Sequence, residues 1–526
     1  MKKLLLIHIF ILFNGLSAGA QTLYYCDPVN GSNSNNGSQA SPFASFGSVN
    51  WSNVNLQDGD IIYLLDGQHG TSYFANKHFG QNLTIKAVNK HQAVVTKLQL
   101  ANSSHITFQD IKFDASNGSF IKEQTIILAG TDASHITLDN CLVQAADDSS
   151  NWTKDDWYEN SVGGVQFRGG NITLKDNIFL NLYHAVELRG DNSLMQNNII
   201  ENFAADAIRV LGSYGTYENN IIKNCFIDDY AIQHDDAFQA FRLDGDGKIT
   251  DVVLRNNKII IFENPSQFVL DNNLIGTLMQ GILFSDGYPA NWIVENNLVV
   301  NDHYHGISLY GARNCRVQNN TVVQSQLFDD IDVIPWILLD DNQKTGETNF
   351  NNIIRNNIST TIATGKYDAT SIVENNIDID ESNYDNYSNY FNDYSNGDFY
   401  LKESSPAVDY GKNTDVAATD IDGNNRIFNS IVDAGCYEYS GTLGIEDEIF
   451  EENTLLVFPN PVTNSFRLSS NDLNIKKLEL YDIQGKLIKS FENKDSYSIE
   501  GIEKGIYILN IKTVEGNNIY KKIIKL

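Results

Sequence analysis

The stretch LMQNNIIENFAADAIRVLGSYGTYENNII, residues 194–222, contains one short phrase twice: LMQNNII and TYENNII, with the second asparagine at Asn198 and again at Asn220. The phrase recurs along the chain, as ITLDNCLVQ from 136, ITLKDNIFL from 172, VVLRNNKII from 252, WIVENNLVV from 292, CRVQNNTVV from 315, NIIRNNIST from 352 and SIVENNIDI from 371. One slot therefore holds Cys141, Asn177, Asn198, Asn220, Asn257, Asn297, Asn320, Asn357 and Asn376. Neighbouring slots lie 19 to 23 residues apart, or 36 to 40 where an insertion intervenes. A period near 20 residues with short alternating apolar runs predicts a solenoid of β-strands, each coil adding one strand to each of three parallel sheets.

The asparagine slot has a mechanical reason. Amides stacked at successive turns can hydrogen-bond along the axis and satisfy a bent backbone. Such a ladder is shared with the right-handed parallel β-helices that this region resembles. The fold class is read as all-β: a right-handed parallel β-helix followed by a small C-terminal β-sandwich.

After each ladder strand comes a variable segment and then a second recurring strand: HAVELRG (184–190), DAIRVLG (206–212), DAFQAFR (236–242), QGILFSD (280–286) and HGISLYG (305–311). At period two, Val186, Leu188, Ile208, Val210, Phe238, Ala240, Ile282, Phe284, Ile307 and Leu309 point inward. The outward column reads Glu187, Arg209, Gln239, Leu283, Ser308, and beside it Arg189, Leu211, Phe241, Ser285, Tyr310. A loop column precedes it, with Tyr183-His184, Asp206, His234-Asp235-Asp236, Gln280 and His303-Tyr304-His305. The insertions, FIDDYAIQHD among them, fall in this loop and are expected to wall an exposed sheet. Histidines, carboxylates and arginines thus collect on one side of the solenoid, where a long chain could lie across them.

The flanks fix compartment and partners. Lys2 and Lys3 precede an apolar run ending in small residues at Ala20, the pattern of a signal peptide over residues 1–20. No later apolar run is long enough to span a bilayer. Cys26, Cys141, Cys225, Cys315 and Cys436 show no zinc spacing and are read as buried small hydrophobes. A net charge of −29 excludes nucleic acid as a partner, since phosphate binding needs Lys and Arg. An acidic polysaccharide would need a locally basic groove within this acidic shell. Residues 21–440 form the β-helix with an N-terminal cap, and 441–526 change character: FPNPVTNSFRL, KKLELYDIQGKLIKSF and GIYILNIKT. This segment resembles the C-terminal sorting domain of type IX secretion substrates, which implies that secretion machinery as a partner and a secreted or cell-surface location.

The stretch 228–318, with HDDAFQAF, GTLMQGILFSDG and HYHGISLYGARNCRVQNNTVV, resembles bacterial β-helix alginate lyases. The resemblance implies β-elimination on a uronate: neutralise the carboxylate, remove the C5 proton, protonate the leaving O4. Candidate catalytic residues are Arg209 at the carboxylate, Lys223 or His234 as base and Tyr183 as proton donor. Arg189, His184, Asp236, Gln239, Gln280, His303, His305 and Tyr310 are candidate substrate contacts. Calcium is a candidate cofactor at Asp206, Asp235 and Asp236. The turn LDGDGKITD, with Asp244, Asp246 and Asp251, lacks the final Glu of a calcium loop and reads as a plain turn. A glycoside hydrolase built on Glu187, Asp206, Asp236 and Asp286, a C5-epimerase, and a non-catalytic glycan binder keeping Tyr310 and Phe241 are the alternatives.

Overall fold

The chain turns a corner at each Asn-Asn pair, and the two residues do different work. The first, at Asn140, Asn197, Asn219, Asn256, Asn296, Asn319, Asn356 and Asn375, with Asp176 in the equivalent place, sits at φ between 51° and 57°. Asn and Asp tolerate this left-handed conformation better than other side chains with a Cβ. The second residue turns inward. From Asn177 to Asn376 each Oδ1 accepts the backbone N–H of the slot one coil earlier at 2.8–3.0 Å. It also accepts the side-chain N–H of the preceding rung at 2.9–3.0 Å, wherever that rung is an asparagine. The same amide nitrogens donate to backbone carbonyls further back, such as Leu174, Met195 and Tyr217. The ladder is continuous from Cys141 to Asn376.

This computed structural model describes residues 21–440 except 122–123, 227–234, 243, 264–278, 326–333, 363–367 and 380–385, and residues 457–525 except 459–461, 463, 469–474, 483–485, 492–495, 503 and 515–517. The chain divides into two units, residues 1–441 and 442–526.

In the first unit three parallel sheets stack coil upon coil. Ile172–Lys175, Leu194–Gln196 and Thr216–Glu218 belong to the first sheet, just before the ladder. Ile178–Leu182, Ile199–Phe203 and Ile221–Cys225 follow the ladder in the second. The third runs through Gly163–Phe167, Val186–Leu188, Ile208–Val210, Asp236–Phe241, Gln280–Asp286, His305–Tyr310 and Trp336–Asp340. The predicted inward residues of this third sheet, Val186 through Leu309, are all buried. Its outward register, Glu187 beside Arg209 beside Gln239 beside Leu283 beside Ser308, is the one expected. The second outward column needs a correction. A bulge after Ala240 pairs Phe241 with Asp286 instead of Ser285, because an extra residue in one strand shifts everything beyond it.

Strands pair in parallel from Leu23–Cys26 onward, so the N-terminal segment is itself part of the stack. At the other end, residues 386–440 fold back along the first two sheets. Asn296 donates to the Thr419 carbonyl, Gln318 to Asp415, Arg355 to Thr414 and Asn356 to Lys412. Buried Arg426 ties this segment together by donating to the carbonyls of Cys436 and Gly435. All five cysteines are free and buried. The second unit is antiparallel, with a three-stranded and a four-stranded sheet around Phe466, Leu478, Leu480, Tyr497, Leu509 and Ile511.

Candidate functional site

The outward face of the third sheet carries one continuous polar network over four strands. Glu187 is its hub: Gln166 donates to Oε1 at 2.9 Å, Arg189 pairs with the same oxygen, and Arg209 Nη1 stands 3.7 Å from Oε2. Arg209 then reaches Asp206 Oδ2 at 2.8 Å and Gln239 Oε1 at 3.4 Å, with its guanidinium 5.5 Å from the centre of the Phe241 ring. Gln239 donates to Asp236 Oδ2 at 2.8 Å, and the Asp236 N–H closes the circuit onto Asp206 Oδ1 at 3.0 Å. His184 joins from the corner loop, its Nδ1 accepting the Asp206 N–H at 3.2 Å. The side chains of Arg189 and Arg209 keep 43% and 27% of their surface open, whereas Glu187 is buried beneath them.

Burial sets the ionisation here. The Asp206 carboxyl is pushed up to about 6 by desolvation, which Arg209 only partly offsets. Asp236 is fully buried and is pushed well above the ordinary carboxylate range, by burial first and then by the neighbouring Asp206 and Asp235 charges. An acid whose folded pKa is raised stabilises the fold below its unfolded pKa and loses that contribution as pH climbs through the folded value. Thermal stability is therefore expected to fall between about pH 4 and pH 6 as Asp206 ionises, and to keep falling above that through Asp236. Asp236→Asn keeps an oxygen for Gln239 but cannot ionise, so the loss between pH 6 and pH 8 should shrink. An equal or steeper loss in the variant would contradict this charge assignment.

The sequence candidates fall into separate groups. Arg189, Arg209, His184, Asp236 and Gln239 lie in the network. Gln280 is on the next strand, paired with Asp236 and buried, and its Oε1 has no partner among the described residues. His303, His305 and Tyr310 form a second group further along the sheet. There His305 Nδ1 meets Ser308 Oγ at 2.8 Å, the Trp336 indole donates to the same oxygen, and Tyr310 stands edge-on to His305. Tyr183 is fully buried behind His184, its ring edge-on at 4.6 Å and packed with Trp157, Ala204 and Ala205. Lys223 is not brought to the network. It sits on the second sheet, 2.6 Å from Glu263 and 3.5 Å from Glu201, and these carboxylates raise its pKa despite partial desolvation. His234 lies outside the described residues.

Two further parts of the site have their own sequence signals. VQFRG at 165–169 has the pattern of VELRG at 186–190 and adds Gln166 and Arg168 to the network. Helix α1, Lys154–Asn160, rises from the corner insertion behind a Thr153–Asp156 capping box, visible in TKDD. Among the described residues no three His, Cys, Asp or Glu side chains gather in a way that could hold a metal ion. In the turn after the network, Arg242 binds Asp244 and Asp246 accepts the Lys248 N–H.

Residues 163–325 match the family model for the right handed beta helix region, and residues 456–526 match the secretion system C-terminal sorting domain. Residues 163–325 are thus a right-handed β-helix region and residues 456–526 a C-terminal sorting domain. The first match spans the coils that carry the polar network, and the second implies a secretion machinery as partner and export to the cell surface or beyond. An endo-acting ulvan lyase of Formosa agariphila is 31% identical over 91 residues, 16% of this chain and 18% of that protein's length. A PL6 family polysaccharide lyase from Pseudopedobacter saltans has a TM-score of 0.37 at 14% identity, covering 67% of this chain and 94% of its own. For pectate lyase Pel9A the values are 0.35, 15%, 80% and 97%. The Dettilon tailspike protein gives 0.43 at 13% identity, covering 61% and 62%. Among the described residues no helix is long and apolar enough to cross a membrane.

Proposed function

We propose that this β-helix is a secreted polysaccharide lyase, with residues 1–20 as its signal peptide, that cleaves an acidic polysaccharide by β-elimination on the third sheet. Alginate is the first substrate to test. The observation that carries the reading is the pair of guanidinium groups, Arg189 and Arg209, both set on Glu187 on the outward face of the third sheet, with the Gln239 amide on the next strand. A uronate carboxylate set against them would lose the negative charge that opposes carbanion formation at C5.

His184, its Nδ1 3.4 Å from Asp206 Oδ2, is assigned the acid: as an imidazolium it gives its Nε2 proton to the leaving O4 and is left as the neutral imidazole. His234, directly before Asp235 and Asp236 in sequence, is assigned the base. Lys223 is the poorer base because two carboxylates hold it protonated. Tyr183, buried behind His184, fixes the orientation of that ring. Gln280, His303, His305 and Tyr310 extend the contact surface along the sheet.

Hydrolysis is a second reading, favoured by the raised Asp206 and Asp236 carboxyls, since a general acid needs such a pKa. Both are buried beneath Arg209 and Gln239, which favours elimination. The purified protein is to be incubated with alginate, polygalacturonate and neutral glucans while unsaturated-uronate absorbance and reducing ends are followed together. Elimination predicts that both rise on at least one uronan. Reducing ends without the chromophore would replace this reading by hydrolysis, and neither signal on any uronan would remove the lyase assignment.

A further inference from the structure

The corner between the second and third sheets carries a pocket that the polar network does not use. It has a volume of about 320 Å³ and is walled by Phe120, Trp152, Ala146 and Val162, with Glu159 and Asn160 of α1 at its rim. That volume is at the lower end of the range for small-ligand sites. Trp152 is held in place from behind: the Trp157 ring stands edge-on to it at 4.7 Å, and Trp157 is itself stacked on Phe226 at 4.3 Å. The same cluster includes Tyr183, whose other neighbour is His184, so a single aromatic wall runs from the pocket to the edge of the candidate site.

We propose that this pocket is a second glycan subsite, selective for an uncharged pyranose unit. A fixed indole face beside a carboxylate and an amide is the combination that binds a sugar ring, whose axial C–H face stacks on the aromatic while its hydroxyls meet the polar rim. The charge of the described side chains around it disfavours a uronate. Asp155, Asp156 and Glu159 all lie on α1, and Lys97, a cation near Phe120, is engaged with that ring at 5.1 Å and with Gln124. A sugar carboxylate there would meet Glu159 with no free cation among the described lining residues.

Val162 of the pocket leads directly into Gly163–Phe167, two strands before the strand of Arg209, which places the two sites about 10 Å apart along the stack at ~4.8 Å per strand. A chain occupying both would then alternate charged and uncharged units. That link rests on the proposed function; the pocket's preference for an uncharged sugar does not.

The test is calorimetric titration of the full chain with neutral gluco-, manno-, xylo- and rhamno-oligosaccharides and, separately, with oligouronates, so that binding is read whether or not the protein cleaves anything. At least one neutral series should bind saturably. Trp152→Ala should weaken it by about tenfold or more, Trp152→Phe should restore most of the affinity, and Ala146→Phe, which fills the cavity and leaves the indole in place, should also abolish it. Glu159→Lys should add oligouronate binding at the pocket. Absence of binding by every neutral series, equal binding by Ala146→Phe, or oligouronates displacing the neutral ligand from the wild-type protein would each overturn the proposal.

Discussion

Arg209→Ala is expected to lower kcat/KM for uronan elimination by about 10²- to 10³-fold, the usual cost of removing one preorganised donor to developing charge. The size follows from its position. Arg209 touches Asp206, Gln239, Glu187 and the Phe241 face at once, so its guanidinium is held before any substrate arrives. Lysine keeps the charge without the planar fork, so Arg209→Lys should recover only a small part of the rate. The fold should survive, because Asp206 can take up a proton when its partner leaves, and the thermal midpoint of Arg209→Ala below pH 6 should stay near that of the wild type. Steady-state kinetics on the best uronan together with melting curves check both statements. A rate within threefold of wild type would mean that Arg209 serves the fold and not the reaction.

Asn220→Leu is expected to cost about 3–5 kcal/mol of stability, more than a typical core substitution. Its Oδ1 accepts two N–H groups of Asn198, and its Nδ2 donates to the Met195 carbonyl and to Asn257. Leucine fills the volume but strands the Asn198 N–H and the Met195 carbonyl in a dry core, each orphan costing about 1–3 kcal/mol. The neighbouring Asn197 makes a useful contrast. It is exposed, its amide reaches only Asp176, and its special feature is φ of 57°. Asn197→Ala should cost about 1 kcal/mol, because alanine lacks the short polar side chain whose local hydrogen bonding lets asparagine hold that conformation. Urea unfolding of the two variants separates ladder from corner: comparable losses would mean that the stacked amides contribute little beyond the turn.

Much of the fold was legible because its corners demand particular chemistry. Left-handed backbone calls for Asn or Asp, and an inward amide must recur wherever the coil bends, so the NN pairs mark each turn even across long insertions. Alternation then told which of Glu187, Val186, Arg209 and Ile208 faced out. Legibility stopped where local irregularity intervened. The bulge after Ala240 shifts Phe241 against Asp286, which no count of alternating residues detects. Lys223 reads as outward, and it is, but the strand Ile221–Cys225 keeps it on the second sheet between two glutamates. Tyr183 reads as a groove tyrosine beside His184; the folding of the 145–162 insertion into α1 covers it with Trp157. The insertion lengths were visible, but not where their side chains would pack.

The central claim is that an acidic sugar chain lies along the third sheet with a carboxylate on Arg189, Arg209 and Gln239. A crystal structure of a slowed variant, His184→Ala, soaked with an oligouronate tests it most directly. The account predicts a uronate carboxylate within hydrogen-bonding distance of at least two of those three side chains. A sugar chain bound instead over the first or second sheet, or with its carboxylates turned away from Arg189 and Arg209, would contradict it.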